Sequence, residues 1–444
     1  GELASAAATM KVPEEVPLKA PKDFKIIGTD QKNVDGLKIA TGQPLYGLDI
    51  QREGMLIAMI EHAPAFGMKV KSVDDAAAKA MPGIKDVFVI NTQQPEGKEP
   101  QWSEANAFYD LVAIVGESTW GVMKAKKALK VEWEVATPGE NTADHEVQME
   151  KLLATTPKEP ARRDGNPEAA FAKAAKVVER TYSAPFLSHT TMEPMNFFAH
   201  VTADKAELDG PIQTPESLRK TLSNYLGMPE ENISIGMTRM GGGFGRRLYG
   251  NFGLEAAAIS QKAGAPVKLV YTREDDMTQG TYRPTYKVKY RAALDENNNL
   301  IAFHVRGAGA RENPVFANRF PAGAVDNYLA DGHAMDSNIS TGAWRAPRSN
   351  FMAFAEQAFL DEVAEAAGKD PVDFRLELLD RAKNNPVGEK NDYEADRYAG
   401  VLRLIKEKGN WGQSHERWTT QSAKSMVCGR LRYCHQPRFS PQSN

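Results

Sequence analysis

Cysteine is nearly missing from this chain: two residues, Cys428 and Cys434, in 444. They build neither a disulfide framework nor a cysteine-bound iron–sulfur or zinc site, so any redox metal must arrive inside a cofactor. Long apolar runs are missing too. The longest, such as residues 111–115, are strand-sized, far short of the roughly 20 residues that span a bilayer. Charge of one sign is balanced away: 55 Lys plus Arg stand against 58 Asp plus Glu, a net charge of -3. That leaves no basic field for nucleic acid and no polybasic membrane anchor. Residues 1–21, rich in Ala, Pro and Lys, lack the charged-then-apolar pattern of a signal peptide. They read as a flexible leader, either an ordinary terminus or what remains after a signal is removed.

What is there is a soluble, globular composition long enough for two or three domains. The expected class is α+β. A flexible leader covers 1–33, and a compact α+β domain covers 34–136. In it, strands at 55–61, 87–90, 111–115 and 130–133 surround short helices at 73–80 and 119–128. A polar, Pro-containing linker follows at 137–166, with a helix near 144–154. A larger domain then runs over 167–410. Within it a strand at 232–240, a glycine loop, an Ala-rich helix at 251–263 and a strand at 267–271 make a β-loop-α-β unit. A strand pair turns at 295–299. A long helix at 350–367 carries Phe351, Phe354, Phe359 and Val363 as a core stripe. Asp209-Gly210 interrupts an apolar strand pattern without a local reason. From 411 to 444 periodicity is lost, and this tail reads as disordered or unrelated to the rest.

The chemistry concentrates in Gly241-Gly242-Gly243-Phe244-Gly245. Glycines here allow positive φ and expose backbone N–H groups, and a strand-loop-helix setting adds a helix N-terminus, which together suit an oxyanion or a metal-bound ligand. A tight turn for packing alone uses the same residues. Neither nucleotide fingerprint is met: Leu248 stands where a dinucleotide loop needs its third glycine, and no Gly-Lys-Ser/Thr ending marks a P-loop. A dinucleotide-dependent dehydrogenase, resting on Glu274 or Asp275 after the second strand, is the weaker alternative.

These residues resemble the molybdenum-binding large subunits of the xanthine oxidase family. Met240 and residues 241–245 look like that family's glycine-phenylalanine loop, and Gln213 in Ile212-Gln213-Thr214-Pro215 lies 31 residues before Phe244, the family's separation. Gly342-Ala343-Trp344-Arg345 is similar to the segment that carries an arginine beside the cofactor. Thr41-Gly42, Tyr46-Gly47 and Pro82-Gly83-Ile84 look like its hammerhead domain. The resemblance thus makes 34–136 hammerhead-like and 167–410 the first half of a molybdopterin-binding domain. Arg246-Arg247 and Thr191-Met192-Glu193-Pro194 point to the isoquinoline oxidoreductase and membrane-associated aldehyde dehydrogenase branch.

The resemblance implies oxidation, at a molybdenum centre, of an aldehyde or of a carbon beside a ring nitrogen, with electrons leaving through iron–sulfur clusters. It implies a molybdopterin cofactor, with a cytosine dinucleotide form among the alternatives. It also implies a small subunit with two [2Fe-2S] clusters, an electron acceptor such as a cytochrome, a small-molecule substrate and a periplasmic location. Gly241, Gly242, Gly243, Phe244, Gly245, Gln213 and Arg345 are the expected cofactor-binding residues. Gln213 would donate its amide N–H to an oxygen ligand of the metal, as would the Phe244 main chain. Arg345 would offer a guanidinium fork to a phosphate or substrate.

Arg283 is the expected substrate-side cation, and Leu248 replaces the glutamate that purine-oxidising members use, which argues against xanthine. The spacing of His189 and Glu193 suits a metal pair on a helix, but Pro194 and the neighbouring threonines favour a structural role. The family's general base, a glutamate well downstream of Arg345, has no matching motif here, so the catalytic residue is unknown. The expectation is a cofactor-holding part of an enzyme, with a non-catalytic pterin-binding or assembly module as the alternative.

Overall fold

A computed structural model describes residues 3–98, 101–104, 108–388 and 390–412. The expected tail therefore lies, but for 411 and 412, outside the described residues, as do both cysteines. The chain divides into two compact units, Gly1–Leu45 and Tyr46–Asn444. The first holds two short helices, Ala4–Thr9 and Gly36–Ala40, with no buried residue in either.

In the second unit, seven segments rich in β-branched and aliphatic residues form one sheet: β1 (Leu56–Glu61), β2 (Ile84–Asn91), β3 (Asp110–Gly116), β4 (Asn196–Val201), β5 (Ala206–Gly210), β6 (Ile233–Met237) and β7 (Val267–Val270). Their order is β6-β5-β4-β7-β1-β3-β2. The join between β1 and β7 is parallel, with Leu56 opposite Val267. Strands from 34–136 and from beyond 167 thus share a sheet, and the 137–166 segment between them contributes the helix Thr142–Ala154.

Both faces of the sheet are covered, so its central strand is apolar on both sides. On β1, Ala58 and Ile60 face the core of the helix Asn251–Ala263, where Phe252, Ala256 and Ile259 pack on Phe197 and Leu269. The alternate residues Ile57 and Met59 face Val122 and Ala125 of the helix Thr119–Ala128. The helix expected at 73–80 is instead the end of a strand, Met68–Asp74, followed by one turn of helix, Ala76–Lys79. Pairing of that strand with Lys130–Val135 overrides the local Ala-rich signal.

Asp209 and Gly210 now have reasons. Asp209 sits 3.1 Å from Arg52, and a Cβ at Gly210 would come within 2.4 Å of the Phe197 ring. The ring needs the space.

A second sheet has five strands, in the order Arg162–Asp164, Asn327–Met335, Leu300–Ala310, Tyr286–Leu294 and Lys176–Ala184. The helices Ser349–Ala366 and Pro371–Asn384 contribute to its core. Aromatic rings fill the gap: Phe359 stacks on Tyr290 with centroids 5.2 Å apart and meets Phe303 edge-on at 5.6 Å. Phe351, Phe359 and Val363 of the expected stripe are buried.

Candidate cofactor site

The glycine loop leaves β6 and leads through the short 3-10 turn Arg246–Leu248 into the helix Asn251–Ala263. Its backbone departs from what side chains favour: φ is +97° at Gly242, +54° at Phe244 and +104° at Gly245. At Gly245 a Cβ would lie 2.0 Å from the Ala343 carbonyl oxygen, so glycine is required both for φ and for close approach. Phe244 tolerates the left-handed region at a cost, and such strain concentrates at functional sites.

Two buried charged side chains hold this loop. Arg247, with 0% of its surface exposed, donates from Nε to the Gly242 carbonyl at 2.7 Å and from Nη2 to the Glu193 carbonyl at 2.8 Å. The same Nη2 lies 3.3 Å from Glu193 Oε2. Burial lowers the Arg247 pKa to about 10, with Glu193 opposing that shift, so it stays a cation at neutral pH.

Glu193 in turn accepts from the Gly241 N–H at 2.8 Å, the Leu48 N–H at 3.2 Å and Asn196 Nδ2 at 3.0 Å. A buried ion pair is tolerated only when its remaining bonds are made, as here. The pair ties Gly241 down. Among the described residues, no group accepts from the N–H of Gly242, Gly243, Phe244 or Gly245.

The expected partners converge on this row. Gln213 donates its backbone N–H to the Arg247 carbonyl at 2.8 Å, and its Oε1 lies 3.0 Å from where a Gly243 Cβ would stand. Arg345 donates its N–H to the Phe244 carbonyl at 2.7 Å. Its side chain is exposed and forms no ion pair among the described residues. The segment before it is fixed by Tyr249, whose hydroxyl accepts from the Ala343 N–H at 2.7 Å, and by His189.

His189 Nε2 lies 2.8 Å from the Ala343 carbonyl, which can only accept, so the ring carries its proton there. Burial holds His189 neutral, at about 4. His189 and Glu193 are thus both spent on the backbone of the site, each on a different loop. Arg283 lies beside the 342–344 segment. It lines a cavity with Tyr249 and Trp344 and donates to the Pro185 carbonyl at 2.8 Å. Leu248 is not among the residues lining that cavity; its carbonyl accepts from Thr214 Oγ1 at 2.7 Å.

The pairing of Glu193 with Arg247 as a brace has no signature of its own in the sequence. The one local signal was an arginine pair just after a glycine loop.

The dinucleotide alternative loses its support. Asp275 closes a capping box with Thr272 and lies 3.2 Å from Lys126. The two strands of the expected β-loop-α-β unit, β6 and β7, are separated in the sheet by β5 and β4.

An open row of main-chain N–H groups with the Gln213 amide beside it has donors of the kind an oxygen-rich anionic group needs. That is the chemistry a molybdopterin presents, and the residues fit it. A family model for the molybdopterin cofactor-binding domain matches residues 152–379. The chain belongs to that family, the molybdopterin-binding proteins of the xanthine oxidase type.

Among curated proteins, the chain is 30% identical to a membrane-bound aldehyde dehydrogenase [pyrroloquinoline-quinone] of Gluconacetobacter polyoxogenes, over 92% of this chain and 55% of that protein. It is 27% identical to the isoquinoline 1-oxidoreductase subunit beta of Brevundimonas diminuta, over 89% and 50%. The chain spans about half the length of these relatives. In fold it is similar to quinoline 2-oxidoreductase from Pseudomonas putida 86, with a TM-score of 0.66 at 21% identity, covering 92% of this chain and 56% of that one.

Proposed function

We propose that this chain is the cofactor-holding part of a molybdenum oxidoreductase that hydroxylates an N-heterocycle or oxidises an aldehyde and passes electrons to an iron–sulfur partner. The observation that carries this reading is the row of unpaired N–H groups at 242–245, beside Gln213 and braced by Glu193 and Arg247. The cofactor, when bound, supplies the two-electron redox chemistry. The chain's part is to bind, orient and keep water away.

With the cofactor bound, Gln213 would offer it a side-chain amide donor and the Phe244 N–H would add a second. Arg345 receives the pterin's phosphate, in the plain or the cytosine dinucleotide form. Because catalytic donors must stand ready before reaction, a loop held by a buried ion pair serves better than a mobile one. Leu248, in place of a glutamate, offers no acceptor to a purine, which favours an aldehyde or another heterocycle.

Residues 34–136 take the hammerhead role. The partner is a small subunit with two [2Fe-2S] clusters delivering electrons to an acceptor such as a cytochrome, in the periplasm. The alternative, a non-catalytic pterin-binding module, keeps the cradle and lacks turnover.

Co-production with an iron–sulfur partner, followed by elemental analysis and a panel of aldehydes and N-heterocycles with an artificial acceptor, tests this. We expect about one molybdenum per chain and turnover with at least one substrate class. Molybdenum without any turnover supports the binding module, and activity in metal-free preparations overturns both.

A further inference from the structure

The 342–344 segment lines a cavity of about 380 Å³ whose walls include Tyr249, Arg283, Tyr286, Arg311, Trp344 and Arg348. Its charge is lopsided. Glu312 is the acid on its wall; it accepts from the Tyr286 hydroxyl and stands 3.7 Å from Arg348. Arg283 and Arg311 form no ion pair among the described residues, and the buried Nε of Arg283 has no hydrogen-bond partner. The Arg283 guanidinium sits 5.8 Å from the centre of the Trp344 ring, at the meeting of a cationic and an aromatic wall.

Backbone strain falls on two arginines of this wall. Arg311 and Arg348 hold φ at +63° and +57°. Arginine gains nothing from the left-handed region, which Gly, Asn and Asp adopt at less cost. The Arg311 N–H is anchored to the Met335 carbonyl at 2.7 Å, so the fold fixes that conformation from outside. Strain at two arginines on one cavity points to a task for their guanidiniums.

We propose that this cavity binds the carboxylate of a planar aromatic molecule, through Arg283 and Arg311, so that the substrate class is an aromatic or heteroaromatic acid. The proposal rests on the oxidoreductase reading, since Ala343 of the cavity wall is also the residue that Gly245 approaches. Guanidinium forks match carboxylates with two parallel bonds, and Trp344 on the same wall offers flat apolar surface to a ring. The volume suits one or two fused rings.

Pyridine-3-carboxylate and its neutral amide share one shape and differ in charge, so their binding to the full chain, followed by calorimetry and thermal shift, decides the matter. The carboxylate is expected to bind at least about tenfold more tightly than the amide, a gap set by charge-assisted hydrogen bonds. Arg311→Gly relieves the positive φ, so its unliganded melting temperature holds or rises while the preference for the carboxylate disappears. Arg311→Lys restores part of that preference.

Equal binding of both probes, no binding of either, or equal protection by inorganic pyrophosphate overturns the proposal; the last assigns the cavity to a phosphate. The readout needs no bound pterin. A chain that binds the carboxylate but never acquires molybdenum refutes the oxidoreductase reading alone, and a molybdenum-loaded chain indifferent to charge refutes this site alone.

Discussion

The five-stranded sheet and the glycine loop are held together by opposite means. In the first, Tyr290, Phe303 and Phe359 are almost wholly buried and touch one another in stacked and edge-on pairs. Their stability comes from area removed from water and needs no unusual backbone. In the second, the buried groups are a carboxylate and a guanidinium, and Thr190, Phe244 and Ala346 all hold positive φ. Each costs free energy on its own. The contrast separates a region shaped by burial of apolar surface from one held in a locally costly state.

Breaking the first region should cost most. Phe359→Ala removes a ring with 0% exposure and should lower stability by about 3–5 kcal/mol, as urea unfolding would measure. A loss below about 1 kcal/mol would mean the aromatic core is not what holds this sheet.

The second effect is one of pH. His189 is held at about 4 in the fold against 6.5 for the free side chain. Between those values the unfolded chain binds the extra proton. The contribution is therefore intact above about pH 6.5 and is lost as pH falls toward 4, up to about 3 kcal/mol. His189→Asn should flatten this part of the stability profile; an unchanged slope would show that His189 titrates normally.

Glu193→Gln keeps the shape but leaves Arg247 without its counter-charge, at about 2 kcal/mol. Hydrogen exchange should show faster amides at 241–245 with the aromatic core unaltered. Uniform change across both regions would contradict the separate bracing. Smallest is Phe244→Ala. The side chain is 44% exposed, and the change should move stability by less than about 0.5 kcal/mol.

What could be read in the sequence followed from local pattern. The loop between a strand and a helix and the helix Ser349–Ala366 were legible, because each rests on neighbours or on a period, whereas the pairing of Gln213 with Phe244 rested on the family resemblance. The brace was not. Glu193 and Arg247 lie 54 positions apart, and nothing in either neighbourhood says that a carboxylate and a guanidinium will meet in the dry interior.

The shared sheet was hidden for the same reason. β1 and β7 lie more than 200 residues apart, and β1 is apolar on both faces, so no alternation in it marks the pairing. The strand Met68–Asp74 was misread because a run of alanines follows it.

The central claim is that the open N–H row receives a pterin. The most direct measurement is the pterin content of the purified chain, co-produced with an iron–sulfur partner, compared with that of Gly243→Val. Gly243 does not need positive φ, and a Cβ there meets Gln213 Oε1 at 3.0 Å, so the substitution fills the cradle rather than the core. About one pterin per wild-type chain and little in a folded Gly243→Val is the expected result. Equal pterin in both, or none in the wild type, would contradict it.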